Sequence, residues 1–227
     1  MAFCGTTIES LQHRVPDLAV LKTTTKILLI DNDPNAFPEL STLLSEGYNI
    51  TQWTKIESLS QLESGTFDVI ILDIQGVAKK WGPGDGLEIL KLLKRNNPSQ
   101  YIISFSGQRA IHELEEFWKI SDAQIKKPVP LAECKQKLDD AIRDRANLFR
   151  YWDEITRLFH GAGVPESDIR KFEKRIVRQV RKRDVSPTVL DQLVSTLVDD
   201  EPNRKRVIAI SLALIQAAIH YYVIRPV

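Results

Sequence analysis

The sequence predicts an α/β fold, a doubly wound five-stranded parallel sheet, followed by an all-α C-terminal domain. Three observations carry this. Short, continuously apolar runs alternate with stretches of helical period from Lys26 to about Pro130. Strand signals then stop, and apolar residues recur at three-four spacing from Leu131 to Phe159, with further helical stretches beyond. Polar residues also gather just after the apolar runs, where the carboxyl ends of parallel strands converge on one crevice.

Taken in order, residues Met1 to Leu21 have weak periodicity and mixed polarity, and 1–24 reads as an N-terminal extension with one short helix. Lys26 to Ile30, continuously apolar after its first residue, is a buried parallel strand that ends at Asp31-Asn32-Asp33-Pro34. Phe37, Leu40, Leu43 and Leu44 mark a helix that Gly47 terminates. Further strands are expected at Asn49 to Trp53, Phe67 to Leu72, Tyr101 to Phe105 and Ala123 to Lys126. Helices are expected around Ser58 to Glu63, Leu87 to Arg95 and Ile111 to Lys119. From Leu131 to Phe159 the spacing requires one long helix or two nearly collinear ones. Three more are expected: Pro165 to Lys182, Pro187 to Val198 and Pro202 to Val223, each with proline at its first position, where a missing N–H costs nothing. Ser186 is a natural N-cap.

These readings divide the chain into an extension (1–24), an α/β domain (25–145) and a helical output or dimerisation domain (146–227). At 227 residues one large domain or two small ones fit. With 31 Lys and Arg against 30 Asp and Glu, and 43% hydrophobic residues, the composition is that of a globular protein and excludes wholesale disorder. Cys4 and Cys134 form neither a disulfide framework nor a zinc quartet, and the N-terminus lacks a secretory signal pattern, so a cytoplasmic location is expected.

The strand ends supply Asp31, Asn32 and Asp33, then Asp73, then Ser106, then Lys127-Pro128. Together with Asp68-Val69-Ile70-Ile71-Leu72-Asp73, Gly84-Asp85-Gly86-Leu87 and Ile102-Ile103-Ser104-Phe105-Ser106-Gly107, they resemble the receiver domain of two-component response regulators over about Thr25 to Arg145. The resemblance implies that Asp73 accepts a phosphoryl group from a sensor histidine kinase or phosphotransfer protein in a phosphorelay. It also implies Mg2+ held by Asp31, Asn32, Asp73 and the backbone carbonyl of Gln75, hard oxygen donors of the kind that ion prefers. Lys127 would pair with the phosphoryl oxygens, and the Ser106 hydroxyl would move toward them to pass the signal outward. Such a protein acts by binding, as a signalling regulator rather than an enzyme, and a homodimer and a protein partner of the helical domain are expected.

Three departures stand beside that resemblance. Asn32 occupies the position of the second acid of the usual pair, so weaker Mg2+ binding is expected. Gln124 replaces the aromatic residue that many receivers turn inward with the hydroxyl. The stretch Gly76 to Gly84, with Lys79, Lys80, Trp81 and Pro83, is longer than the usual connection, and Trp81 reads as a lid on its own domain. In the helical half, 165–182 is amphipathic, with Arg170, Lys171, Lys174, Arg175, Arg178, Arg181 and Lys182 on one side. That side reads as a solvated face, with nucleic-acid phosphates or an acidic partner as alternatives. The apolar segment Val207 to Ile224 reads as a buried helix in preference to a membrane anchor. A phosphorylation-independent pseudo-receiver that only supplies a docking surface is the competing reading of the whole.

Overall fold

All five strands run parallel in one sheet, in the spatial order second, first, third, fourth, fifth of their succession along the chain, in the computed structural model, which describes residues 5–12, 15–37, 40–81, 85–107 and 112–223. The chain resolves into two units: Leu18–Arg145, and the segment through Asp17 together with Ala146 onward. Within the second unit, α1 (Ile8–Leu11) opens the described chain. The first unit then runs α2 (Leu18–Thr24), β1 (Lys26–Ile30), α3 (Leu40–Ser45), β2 (Asn49–Trp53), α4 (Leu59–Glu63) and β3 (Val69–Asp73). A 3-10 turn at Lys79–Trp81 leads to α5 (Gly86–Asn96), β4 (Tyr101–Ser106), α6 (His112–Ile120), β5 (Ala123–Lys126) and α7 (Leu131–Ala146).

The central strands β1, β3 and β4 are covered on both faces, which is why they read as unbroken apolar runs. Residues Ile27 to Ile30 pair with Val69 to Leu72, and Val69 to Asp73 with Tyr101 to Phe105, so Asp73 lies level with Phe105. β3 begins two residues later than the expected start at Phe67. Phe67 packs edge-on against Trp53 at 5.6 Å, while the Asp68 carboxylate accepts the Lys26 N–H at 2.8 Å and closes the strand start. At the outer edge, α2 packs by β2, and Lys22 reaches Asp139 at 3.3 Å while lying over the Tyr48 ring.

The second unit adds α8 (Leu148–Gly161), α9 (Glu166–Lys182), α10 (Pro187–Val194) and α11 (Glu201–Ala218), with a π-helical turn at Ile219–Val223. Its core joins Tyr151, Ile155 and Phe159 of α8 to Phe172 and Ile176 of α9 and to Val207, Ile210 and Leu214 of α11. Ile8 and Leu11 of α1 are fully buried in this unit, and the Ile8 N–H donates to Glu173 at 2.8 Å. The expected N-terminal extension is therefore not one piece: α1 belongs with the helices, α2 with the sheet. A four-residue helix carries too little period to show its side of the division.

Of the two arrangements expected over 131–159, one helix or two, two helices are found: α7 ends at Ala146, and Asn147 caps α8, accepting the Phe149 N–H at 3.1 Å. The prolines also sit differently from expectation. Only Pro187 is first in its helix; Pro165 is the N-cap of α9 and Pro202 the second residue of α11. Ser186 stands at the N-cap of α10 but makes no side-chain cap bond, whereas Asp200 caps α11 by accepting from Asn203 at 2.9 Å. Glu201–Val223 is the one helical stretch among the described residues long and apolar enough to cross a membrane, and 56% of its apolar window is buried inside its unit. Its Ala213 and Ala217 are buried, as close helix packing requires.

Candidate functional site

Asp31 follows β1 and Asp73 ends β3, so parallel pairing of these neighbours brings two carboxylates to one end of the sheet. Both are buried. Lys127, just after β5, reaches across β4: its Nζ donates to Asp31 Oδ2 at 2.5 Å and stands 3.4 Å from Asp73 Oδ2. The Phe105 ring lies under the ammonium at 4.4 Å and is met edge-on by Phe37 at 5.1 Å. A single cation thus bridges two buried anions.

The remaining carboxylate oxygens have fixed partners. Asp31 Oδ1 accepts the Asp33 N–H and Asp73 Oδ1 accepts the Ile74 N–H, each at 2.9 Å. Burial pushes the Asp73 carboxyl up to about 6; attraction to Lys127 works against that shift and repulsion from Asp31 adds to it. Ser106 ends β4 and is buried, and its carbonyl accepts the Lys127 N–H at 3.0 Å. The Lys127–Pro128 peptide is cis.

Other strand-end residues are not drawn in. Asp33 is exposed and turns away to accept the Asn35 N–H at 2.9 Å. Gln124 is exposed on the edge strand and donates to the Trp118 carbonyl at 3.0 Å, so no inward-turning ring stands at that position. Asn32 is exposed, its amide against the Cα of Gly76. Gln75 is exposed in the loop after β3. The Trp81 side chain, residues 82–84 and Cys4 lie outside the described residues.

Asp85 escaped the sequence reading as a structural residue. Its carboxylate accepts the N–H groups of both Gly76 and Ala78, clamping the lengthened loop, and its own backbone takes the rare φ of 47°. Gly86 beside it is needed for close approach: a Cβ there would sit 2.3 Å from the Asp73 carbonyl oxygen. The Asp-Gly pair was the available signal. Cys134 is buried in α7, and burial pushes its thiol up to about 12, far from a reactive thiolate.

Residues 27–139 match the response regulator receiver domain family, and the chain carries a member of that family there. The helical region lies outside the match. Similar solved structures include a CheY-like receiver domain protein from Methanospirillum hungatei JF-1, 24% identical over 53% of this chain and 98% of that one, TM-score 0.42. Another is a two-component response regulator from Clostridium difficile, 23% identical over 52% and 96%, TM-score 0.44. The receiver domain of NtrX from Brucella abortus is 21% identical over 52% and 98%, TM-score 0.43. No curated protein matches the chain. The match identifies a receiver domain over just under half of the chain.

Proposed function

We propose that this protein is a response regulator that accepts a phosphoryl group on Asp73 from a histidine kinase or phosphotransfer protein, and signals through its helical unit to a protein partner. The observation that carries the reading is the Lys127 ammonium shared between Asp31 and Asp73 at the end of β3. In the transfer, an Asp73 carboxylate oxygen attacks phosphorus, a P–O bond forms, and the P–N bond to the donor imidazole breaks with its electron pair leaving on nitrogen. Lys127 then has a phosphoryl oxygen to pair with in place of one carboxylate. The Ser106 hydroxyl, one residue past the level of Asp73 on the adjacent strand, is the group assigned to sense the new charge.

Receiver domains as a family bind Mg2+, and the donors here are of the right chemistry: two carboxylates, the Asn32 amide oxygen and the Gln75 carbonyl. Among the described residues there is no group of three or more acidic, His or Cys ligands, and with Asn32 in place of an acid the site carries one negative charge fewer than the usual receiver. The residues therefore fit a weak Mg2+ site, in which the bound cation would offset repulsion between the phosphate and Asp73. A cytoplasmic location and homodimerisation belong to the same proposal.

Incubation with Mg2+ and a small phosphodonor, read by intact mass, is the test. The wild type should gain one phosphate and Asp73→Asn none; no gain, or an equal gain in both, overturns the assignment. Because the attacking form is the carboxylate and Asp73 titrates at about 6, the phosphorylation rate should fall as pH drops from 7 to 5. Asn32 favours one competing reading, a pseudo-receiver whose partner binding ignores Asp73. On that reading, Asp73→Asn changes neither phosphate content nor partner capture.

A further inference from the structure

The basic side of α9 is not a plain solvated face. A groove of about 430 Å³ runs between α9 and the turn after α10. Lys171, Lys174, Arg175 and Arg178 line one wall at positions i, i+3, i+4 and i+7, one stripe roughly 10 Å long at 1.5 Å per residue. The apolar side is formed by Phe172 and by Leu193 and Leu197, which remain partly exposed. At one end Asp168 neutralises Lys171 at 2.8 Å; among the described residues Lys174, Arg175 and Arg178 have no acidic partner.

We propose that this groove docks an acidic amphipathic helix of a protein partner, whose leucine-type side chains meet Leu193 and Leu197 and whose carboxylates meet Lys174, Arg175 and Arg178. The inference deepens the proposed output role and rests on it for the existence of a partner, but the groove itself owes nothing to Asp73. Charge complementarity names the occupant. Unpaired cations at i, i+1 and i+4, little more than one turn of α9, beside an apolar strip match a helix with acids and leucines on adjoining faces, the helix-in-groove mode of recognition. A nucleic acid is the poorer match. Phosphates would gain from the cations, but the Phe172 ring is 3% exposed and held edge-on to Phe159 at 5.0 Å, so it offers no platform for a base.

The test uses the full chain and a fluorescent Glu/Leu peptide designed as an amphipathic helix of about five turns, with anisotropy as the readout. The wild type and Asp73→Asn should both bind it, and binding should weaken as salt rises. Lys174→Glu with Arg178→Glu should weaken binding at least about tenfold, and a Lys/Leu peptide of the same pattern should bind that charge-reversed variant more tightly than the wild type. Leu197→Ala should weaken the Glu/Leu peptide several-fold. Circular dichroism checks that these exposed-site variants keep their helices, and Arg175→Glu, expected to weaken binding in the same direction, stands in if the double variant does not fold. The proposal falls if the wild type does not bind the peptide, or if a scrambled peptide of equal composition binds as tightly. It also falls if single-stranded DNA binds more tightly than the peptide, or if the cations instead support self-association that the charge reversal abolishes. Peptide failure with normal phosphorylation would sink the groove alone; the reverse result would sink only the Asp73 assignment.

Discussion

The unit Leu18–Arg145 buries Asp31, Asp73 and Arg145, whereas among the described residues of the helical unit the buried polar side chains are Gln179 and Ser211, both neutral. The first keeps charge inside and answers it with Lys127 and, for Arg145, with the Ser99 carbonyl at 2.8 Å. The second keeps an aliphatic and aromatic interior and carries its cations outward along α9. Desolvated charge is expensive, and an unpaired one more so. The difference sorts the two proposed kinds of work: chemistry is assigned to the unit where burial pushes a carboxyl up to about 6, recognition to the unit whose cations face outward.

The contrast is open to test by substitution, taken here from the largest expected effect down. Phe172→Ala removes a ring wedged against Phe159 and should cost about 3 to 5 kcal/mol in chemical denaturation of the helical unit. Phosphate uptake at Asp73 should persist under conditions where that unit has loosened; its simultaneous loss would show that the interiors are not independent. Next, Lys127→Ala strands two buried carboxylates and should cost about 3 kcal/mol at pH 7.5. That cost should shrink below pH 5 as Asp73 takes up a proton, a trend no core cavity would show.

Asp73→Asn has the opposite sign. The folded-state value of about 6 lies above the ordinary aspartate value of 3.8, so between these the native state holds more protons than the unfolded chain. Stability is then highest below the lower value and is lost as pH rises toward and through 6. The variant should gain roughly 1 to 3 kcal/mol at pH 7.5 and little at pH 4, measured by urea unfolding at both. If the gain is absent, the site is wetter than its burial indicates. The smallest pair sets two caps against each other. Asp200→Ala should cost about 1 kcal/mol, Ser186→Ala under about 0.5, because only the first side chain bonds to its helix.

Ser186 shows where legibility in the sequence stops. A cap residue type can be read from one position, but the bond depends on the backbone around it, and here the Asp184 carboxylate takes the Ser186 N–H instead. The central sheet was readable because strands covered on both faces need unbroken apolar runs, and β1 matches its expected bounds. Asp31, Asp73 and Lys127 were readable because parallel strands bring their carboxyl ends together. The Asp85 clamp was not, since it relies on a left-handed backbone position nine residues from Gly76, whose N–H its carboxylate accepts. Nor was the link from Gln12 to the start of α8, where its amide accepts the Leu148 N–H across 136 positions of chain. Local pattern carries no trace of such distant pairings.

The division of the N-terminus has a consequence for how the protein can be taken apart. Since α1 completes the helical core and the chain returns to that core only at Ala146, the receiver is an insertion, held by two covalent tethers between parts of a single folding unit. Cutting one tether frees neither half. A fragment beginning at residue 146 lacks Ile8 and Leu11, together worth roughly 3 to 6 kcal/mol of burial, and leaves their seat open to water. The helical half in isolation is therefore a chain that splices residue 17 to residue 146, with the receiver excised like a cassette.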